Sequence, residues 1–502
     1  MRGNDHWLEE RRKAAERRRR IIFNNDGDDV FLAEKPTPES FLAVRCKGIE
    51  KTHVDTYVYS TLSNFNSCVH DSRVAEINRL RDAFIYQRNQ VQALIDQGRD
   101  SLSLVIGFCR ANDMEVFWSA RMNDMHDNWY PLTMTGFKKE HPELRLWRAG
   151  DYGKPGDGTI EPHMYAVAMD YGREEVRRRQ YDTISDVCER YDVDGIELDF
   201  MREPVYFRPT MEGRPVETEH RDLMTGLVRR VRRKADEIGQ KRGKPILISA
   251  RVPNLPDRCR YIGLDVEGWI DEHLLDMVLP SLEFTPFTGD FSEMAALAHG
   301  GGMPVYPCIG GGVGGLDGWA AATTNALAGG ADGIATFNNF DPCFPGWRVL
   351  GDPVALRATD KVYAVDNIGK VMSTHTHVVD RRPLLPIPIA TGSGADVILP
   401  VCEDLGAGIG DTALTLSIII DGCAFGDRVA MAINGTPLKP EITVSTQGCA
   451  PLAVGKNTFM VNVDVAALVC GDNRIRVSIA AIEPREAVPV LSDVRLYVSG
   501  RA

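Results

Sequence analysis

The apolar residues Ile196, Leu198 and Phe200 alternate with the acidic residues Glu197 and Asp199. This period of two predicts a β-strand that carries Glu197 and Asp199 on one side. In the preceding segment, residues 173–190, apolar residues recur at three- and four-residue steps, which predicts an amphipathic helix. A helix, a short turn and a strand that ends in acidic residues are typical of a (β/α)8 barrel, where chemistry lies at the carboxyl ends of the strands.

Seven further apolar segments are separated mostly by helical patterns, which favours an α/β fold with a parallel sheet. We therefore predict a (β/α)8 TIM barrel over residues 20–374. Its eight predicted strands are Arg20–Phe23, Val54–Ser60, Glu115–Arg121, the segment described above, Ile246–Arg251, Met277–Glu283, Pro304–Ile309 and Gly333–Asn339.

The pattern changes at about residue 375, where short alternating segments are divided by turn signals such as Asn434-Gly435. These segments predict a C-terminal β-sandwich over residues 375–502. Residues 1–19 are highly charged and predict a helix or arm that leads into the first strand. A nucleic-acid arm is the alternative for this basic run, and a solvated helix with mixed charges is the favoured interpretation.

Composition narrows the partners. The chain has 502 residues, 58 basic and 70 acidic, for a net charge of -12, which argues against nucleic acid as the main partner. No apolar run reaches the ~18 residues of a membrane span, so no membrane partner is expected, and the sequence leaves homo-oligomerisation open. The 11 cysteines form no CxxC pair, and with no signal-peptide pattern we expect reduced cysteines in a cytoplasmic protein.

Polar side chains gather at the ends of the predicted strands. Strands one, four and six each end in an acid, which a barrel built only for stability does not need. The candidate site residues at these ends and on the adjoining loops are Asn25, Asp26, Trp118, Arg121, Asp124, Glu197, Asp199, Arg202, Arg251, Glu283 and Asn338.

Arginines accompany these acids, and two interpretations stay open. Arg121, Arg202 and Arg251 suit a carboxylate- or sulfate-bearing substrate, because guanidinium binds such groups bidentately. They also suit ion pairs within the protein, for example Glu197 with Arg121 or Arg251.

The fourth strand resembles that of glycoside-hydrolase-like barrels, which typically reads Asp-Gly-Ile-x-Leu-Asp-aromatic-x-Arg. Here the motif runs from Asp194 to Arg202. The chain departs from the chitinase pattern, because Met201 stands where that family has its catalytic glutamate. The predicted seventh strand ends without a carboxylate, which disfavours barrels that pair acids on strands four and seven.

The remaining pairing, strands four and six, resembles α-galactosidase-type barrels. That resemblance implies Asp199 as nucleophile and Glu283 as acid/base. Glu283 lies between two apolar residues, a setting that raises a carboxyl pKa. We expect both acids to open onto one cleft with Asp26, Trp118 and the arginines, and a separation beyond about 12 Å would pass the acid role to Glu197 or Asp124.

We predict a glycoside hydrolase acting on a carbohydrate substrate, without cofactor or metal ion. One alternative is a lyase or isomerase acting on an acidic or phosphorylated sugar. The glycine run Gly310–Gly315 could cradle a phosphate, although a flexible rim is the plainer interpretation. The other alternative is a non-catalytic carbohydrate-binding protein that has kept the barrel.

Overall fold

A computed structural model describes residues 2–81, 84–147, 165–310, 313–379, 382–390, 394–403, 412–424, 427–445, 454–480 and 488–500. Eight parallel strands close into a barrel in which each strand pairs with its neighbours in sequence, and the last pairs with the first. This confirms the predicted α/β fold. The barrel strands are β1 (Ile21–Asn25), β2 (Val54–Ser60), β3 (Glu115–Arg121), β4 (Gly195–Asp199), β5 (Leu247–Pro253), β6 (Met277–Leu282), β7 (Cys308–Gly310) and β8 (Ile334–Phe337).

Strand β7 begins later than predicted. Pro304 and Pro307 lack the backbone N–H that a ladder needs, and Val305 makes only an isolated bridge to Val278. Regular pairing therefore starts at Cys308.

Helices surround the barrel. They are α1 (Arg2–Ala15), α2 (Asp29–Leu32), α3 (Pro38–Arg45), α4 (Val91–Asp96), α5 (Ser101–Ala111), α6 (Gly136–Glu140), α7 (Glu174–Arg190), α8 (Arg208–Met211), α9 (Thr218–Arg242), α10 (Pro256–Ile262), α11 (Val266–Asp271), α12 (Ser292–Gly300), α13 (Leu316–Ala328) and α14 (Pro353–Ala358). Three two-residue strands, Leu62–Ser63, Ser67–Cys68 and Glu76–Ile77, form a small sheet in the loop after β2. Within the described ranges, no helix is both long enough and apolar enough to cross a bilayer.

The charged N-terminal segment forms α1 and packs against the barrel. Arg11 is 4% exposed, and its Nε donates to Asp276 at 3.0 Å. Arg19 is fully buried and pairs with Glu115 at the amino end of β3 at 2.7 Å. Two arginines of the basic run therefore form buried ion pairs with acids of the barrel, whereas the sequence favours a solvated helix.

The lower part of the barrel interior is apolar. Gly195 lies there opposite Phe117, and a Cβ on this glycine would come within 2.4 Å of the phenyl ring. The glycine thus makes room for the ring that fills the floor. The interior cluster contains Ile22, Val58, Phe117, Leu247, Met277, Leu279, Tyr306, Cys308, Ala335 and Phe337.

Two antiparallel sheets follow the barrel, consistent with the predicted β-sandwich. Their strands are β9 (Lys361–Ala364), β10 (Ile387–Pro388), β11 (Ala395–Val401), β12 (Ala413–Ala424), β13 (Arg428–Ile433), β14 (Thr436–Leu438), β15 (Ile442–Ser445), β16 (Val454–Asn462), β17 (Gly471–Ala480) and β18 (Val490–Ser499). One sheet has the order β9-β18-β12-β16-β15, with β10 beside β18, and the other has the order β11-β17-β13-β14. Strand β9 lies before residue 375, inside the range predicted for the barrel.

Residues 365–379, here called the connector, lie against the loops at the carboxyl end of the barrel. Asp366 accepts hydrogen bonds from the backbone N–H of Thr288 at 2.7 Å, in the loop after β6. His375 bonds the carbonyl of Met201 at 2.7 Å, and His377 bonds that of Pro204 at 2.9 Å, both in the loop after β4. The connector thus joins the two loops that follow the acid-bearing strands.

Candidate active site

Strand register brings the predicted charged residues together at the carboxyl end of the barrel. Arg121 pairs in register with Asp199, and Asp199 pairs with Arg251 on the next strand. Residues in register on neighbouring parallel strands face the same side, here the barrel interior. The guanidinium of Arg251 also lies 4.3 Å from the ring centroid of Phe337, on β8.

Arg251 holds both predicted catalytic acids. Its Nε and Nη2 donate to the two oxygens of Asp199 at 2.9 and 3.0 Å, and its Nη1 donates to Glu283 at 2.5 Å. A single guanidinium group therefore bridges the two carboxylates. Their side chains are 2% and 3% exposed, so neither opens onto solvent. We call Arg251, Asp199, Glu283 and the neighbouring Glu197 the Arg251 cluster.

Asp199 is fixed by further donors. Its Oδ1 accepts the backbone N–H of Met201 and of Arg202, each at 3.0 Å. With Arg251 bound bidentately, four N–H donors fix the orientation of this carboxylate.

The two glutamates of the cluster have raised pKa values. Burial raises the pKa of Glu197 to about 7, with a further contribution from the negative Asp199, and its Oε1 accepts the Ser119 hydroxyl at 2.7 Å. Burial and Asp199 also raise the pKa of Glu283, against the opposing effect of Arg251.

The missing acid at the end of β7 has a steric cause. A Cβ on Gly310 would lie 2.1 Å from the carbonyl oxygen of Glu283. The close approach of the two backbones excludes any side chain there, so this strand supplies no carboxylate.

A second network surrounds Arg121. Its Nη2 lies 2.6 Å from Asp26, and its Nη1 donates to Asp124 at 3.1 Å. Asp124 accepts from His126 Nδ1 at 2.8 Å, and the other ring nitrogen of His126 lies 2.7 Å from Arg202. Although burial opposes it, His126 and the two arginines hold the pKa of Asp124 well below its usual range.

A cavity of about 170 Å³ opens beside this network, between the loops after β1, β2 and β3. We call it the rim cavity. It is lined by Asp26, Gly27, Asp28, Phe31, Thr61, Leu62, Ser63, Val69, Ile85, Tyr86, Arg121, His126 and Tyr130.

Two aspartates of the rim cavity have pKa values shifted in opposite directions. Burial alone would raise the pKa of Asp26, but Arg121, Arg202 and Arg45 together lower it. The side chain of Asp28 is 39% exposed and lies 3.8 Å from Arg45. Loss of solvent in the recess and repulsion from Asp26 raise its pKa, against the opposing effects of Arg45 and Arg121.

The turn that carries these aspartates is tightly built. The Oδ1 of Asn25 accepts the backbone N–H of Gly27 and the guanidinium of Arg45, each at 3.0 Å, and its amide donates to Asp29 at 3.1 Å. Gly27 has φ +83°, and a Cβ there would lie 1.9 Å from the Ser60 carbonyl. Asn25, predicted to bind substrate, thus supports the turn from a fully buried position.

Two predicted residues lie apart from both networks. Trp118 is fully buried on the face of β3 opposite the barrel interior, and its Nε1 donates to Thr61 at 2.6 Å. The sequence predicts that Trp118 lines the cleft. In the structure it packs behind Thr61, which lines the rim cavity. Asn338 is exposed and has φ 56°.

Sequence reasoning missed Asp28, Tyr86 and Tyr130 as lining residues. The acid-rich turn Asn24–Asp29 was a readable signal for Asp28. The tyrosines come from long loops whose folding no local pattern specifies. Within the described residues, no three His, Cys, Asp or Glu side chains are grouped so that they could hold a metal ion. Residues 311–312 of the glycine run lie outside the described residues.

No protein-family model and no curated protein matches the chain. Solved structures give weak likenesses. The PgaB glycoside hydrolase domain of Bordetella bronchiseptica has 9% identity and a TM-score of 0.44, over 66% of this chain and 98% of that one. An α-L-fucosidase from Paenibacillus thiaminolyticus has 15% identity and a TM-score of 0.38, over 68% and 48%. The GH36 α-galactosidase AgaA of Geobacillus stearothermophilus has 12% identity and a TM-score of 0.36, over 98% and 59%. This chain thus spans only part of the fucosidase and the galactosidase, and the activities in these names belong to those proteins.

Proposed function

We propose that this protein is a glycoside hydrolase that binds a sugar in the rim cavity and cleaves it with Asp26 and Asp28. One observation carries the proposal: two carboxyl groups line the same cavity, and their surroundings shift their pKa values in opposite directions. Glycoside hydrolysis needs one carboxyl that stays ionised and one that keeps its proton near neutral pH.

The roles follow from the surroundings. Asp28, with the raised pKa, donates its proton to the leaving glycosidic oxygen. Asp26 stays ionised beside Arg121 and stabilises the positive charge that develops on the sugar ring. It also acts either as the base that activates a water molecule or as the nucleophile. Arg121 is itself fixed by Asp124, so Asp26 keeps a constant electrostatic environment.

Aromatic side chains support a sugar ligand. Tyr86 and Tyr130 line the rim cavity, and Tyr130 and the adjacent Trp129 are 46% and 44% exposed. Aromatic rings with a polar tip suit the mixed apolar and hydroxyl surface of a sugar.

The charge of the site favours a neutral sugar. Among the described residues that line the rim cavity, Arg121 is the one permanently charged cation, and Asp26 and Asp124 already pair with it. An anionic substrate would have to compete with both carboxylates for the same guanidinium. The ion pairs of Arg121 with Asp26 and Asp124 thus support the interpretation that the arginines pair with acids of the protein rather than with an acidic substrate.

The pair implied by the strand-four resemblance, Asp199 and Glu283, remains the competing assignment for the same reaction. It requires Arg251 to release both carboxylates and the overlying loops to open. Removing a partner from a buried pair typically costs ~3–5 kcal/mol, so this route carries a cost that Asp26 and Asp28 avoid.

A panel of neutral and acidic glycans and aryl glycosides tests the proposal. Wild type should release a product with a new reducing end, most readily from neutral substrates, and Asp28→Asn should lower that turnover without a change in melting temperature. An unsaturated or isomerised product would overturn hydrolysis in favour of a lyase or isomerase. Tight binding to a glycan with no turnover would instead identify a binding protein.

A further inference from the structure

Two cysteines of the sandwich face each other across neighbouring strands. Strands β11 and β17 are antiparallel, and Val401 pairs with Gly471. One step beyond this pair along the two strands, Cys402 lies opposite Cys470. We propose that Cys402 and Cys470 form a reversible disulfide by exchange with a small-molecule disulfide such as oxidised glutathione. This proposal does not rest on the proposed hydrolase function.

The backbone at this pair has the spacing that a disulfide needs. Pro400, two residues earlier and opposite Asp472, has no N–H to donate, and its carbonyl accepts from Asn325 outside the sheet, which indicates a pair of the non-hydrogen-bonded kind. Pairs alternate along an antiparallel ladder, which makes Cys402 and Cys470 non-hydrogen-bonded as well. The backbone N–H of Cys402 is directed elsewhere, to Asn325 at 3.0 Å. Cα atoms in such pairs lie about 4.5 Å apart, within the range that disulfides span.

The pair lies where the sandwich meets the barrel. Asn325, on α13, also donates to the carbonyl of Pro400 at 3.1 Å, and Arg382 pairs with both Asp290 and Asp472. A cavity of about 170 Å³ at this junction is lined in part by Cys402 and Asp472. The bond would therefore tie the edge strand β11 to its neighbour β17 at the surface that contacts the barrel.

Exposure sets the order of the two exchange steps. Cys470 is exposed and Cys402 is half-buried, so the Cys470 thiolate attacks glutathione disulfide first, forms a mixed disulfide and releases one glutathione thiolate. The Cys402 thiolate then attacks the Cys470 sulfur and displaces the second glutathione. Two protein thiols become one disulfide, and one glutathione disulfide becomes two thiols, which take up the two protons.

The second step should be the slow one. Burial, Cys470 and the nearby acids Asp472 and Glu403 raise the pKa of Cys402 to about 11. Little of this thiol is ionised at neutral pH, and only the thiolate attacks. The mixed disulfide at Cys470 should therefore accumulate transiently.

The test treats the full chain with oxidised glutathione, traps free thiols with an alkylating reagent and maps cross-linked peptides by mass spectrometry. We expect a peptide pair joining residues 402 and 470, reversed by dithiothreitol. The cross-link should also raise the melting temperature of the sandwich by roughly 5–15 °C, because it restrains the unfolded chain. Cys470→Ser should abolish both the cross-link and the shift.

Matched variants keep the proposal falsifiable. Cys343→Ser, at the other cysteine that is exposed among the described residues, should leave the cross-link and the shift unchanged. Cys402→Ser should stop the reaction at the mixed disulfide on Cys470, even if the variant is less stable. Stable mixed disulfides on both residues with no intramolecular bond would overturn the proposal. A cross-link from either residue to Cys449, which lies outside the described residues, would overturn it as well.

Discussion

The two sides of the barrel mouth both carry acids paired with arginines, but the acids differ in how much of their side chains is exposed. On the side of β4, β5 and β6, Arg251 takes up Asp199 and Glu283, whose side chains are 2% and 3% exposed. On the side of β1 and β3, Arg121 pairs with Asp26, whose side chain is 13% exposed, and Arg45 lies 3.8 Å from Asp28, whose side chain remains 39% exposed. Position at a strand end therefore does not determine how exposed an acid is. The two sides differ in how much of each carboxylate the neighbouring cations cover.

The sharpest way to break this comparison is to neutralise one acid on each side. Asp28→Asn should lower turnover by ~10²–10⁴-fold, because it removes the proton donor, while thermal unfolding stays as in wild type. Asp199→Asn should lower the melting temperature, because Arg251 loses one of its two carboxylates. Steady-state kinetics and calorimetry on both variants separate the two effects.

The opposite pattern would relocate the active site. If Asp199→Asn and Glu283→Gln lost activity at wild-type stability while Asp28→Asn stayed fully active, the catalytic pair would be the one implied by the strand-four resemblance.

Removing the shared cation tests the buried side directly. Arg251→Ala should lower the free energy of unfolding by about 3–5 kcal/mol, since it leaves two buried carboxylates without their partner. Arg260→Ala is the matched control, because the pair of Arg260 with Glu267 is 39% and 41% exposed and should contribute at most about 1 kcal/mol. Urea denaturation of both variants measures the difference. Equal losses in the free energy of unfolding would show that the Arg251 cluster contributes no more than an exposed ion pair.

The raised pKa of Glu197 predicts a dependence of stability on pH. Its pKa rises from 4.5 to about 7 in the folded protein, so the folded state prefers the protonated form. The resulting stabilisation is full below pH 4.5 and is lost as the pH rises to about 7, a change of about 3 kcal/mol. Relative to Glu197→Gln, wild type should therefore lose stability across this window. Parallel pH profiles would refute the shift.

The smallest effect concerns the open side. Tyr130→Ala should raise KM roughly tenfold, about 1.4 kcal/mol, with little change in kcat, because it removes a surface for the sugar but no reacting group. Tyr130→Phe keeps the ring and should stay near wild type. A large fall in kcat for the alanine variant would place Tyr130 in the chemistry instead.

The barrel is predictable because each strand carries its own signal. Alternation around Glu197 and Asp199 locates β4, and the helical period before it locates α7. The apolar pattern places β7 too early, because the effect of Pro304 and Pro307 on pairing outweighs their apolar surroundings. It does not reveal β9 as part of the sandwich, because four residues give too short a pattern and the partner strand, β18, is remote in sequence.

The candidate site is predictable only as a set of charged residues at one end of the barrel. The sequence does not tell which carboxylate each arginine contacts. Arg251 pairs in register with Leu279, and its side chain reaches Glu283 four residues further along the chain. Nor does the sequence show whether Trp118 faces the barrel interior or the opposite side of β3, since its partner Thr61 lies in a different loop. Whether Asp26 and Asp28 are the catalytic pair remains a prediction.

The connector has a consequence for dividing the chain into modules. A truncated chain ending at residue 374 would keep every barrel strand, yet it would lack His375 and His377, whose rings bond the loop after β4. A barrel transplanted or expressed alone should therefore carry the chain through residue 379. A boundary for expressing the barrel alone should therefore be placed after the connector, even though strand β9 of the neighbouring sheet precedes the connector in the chain.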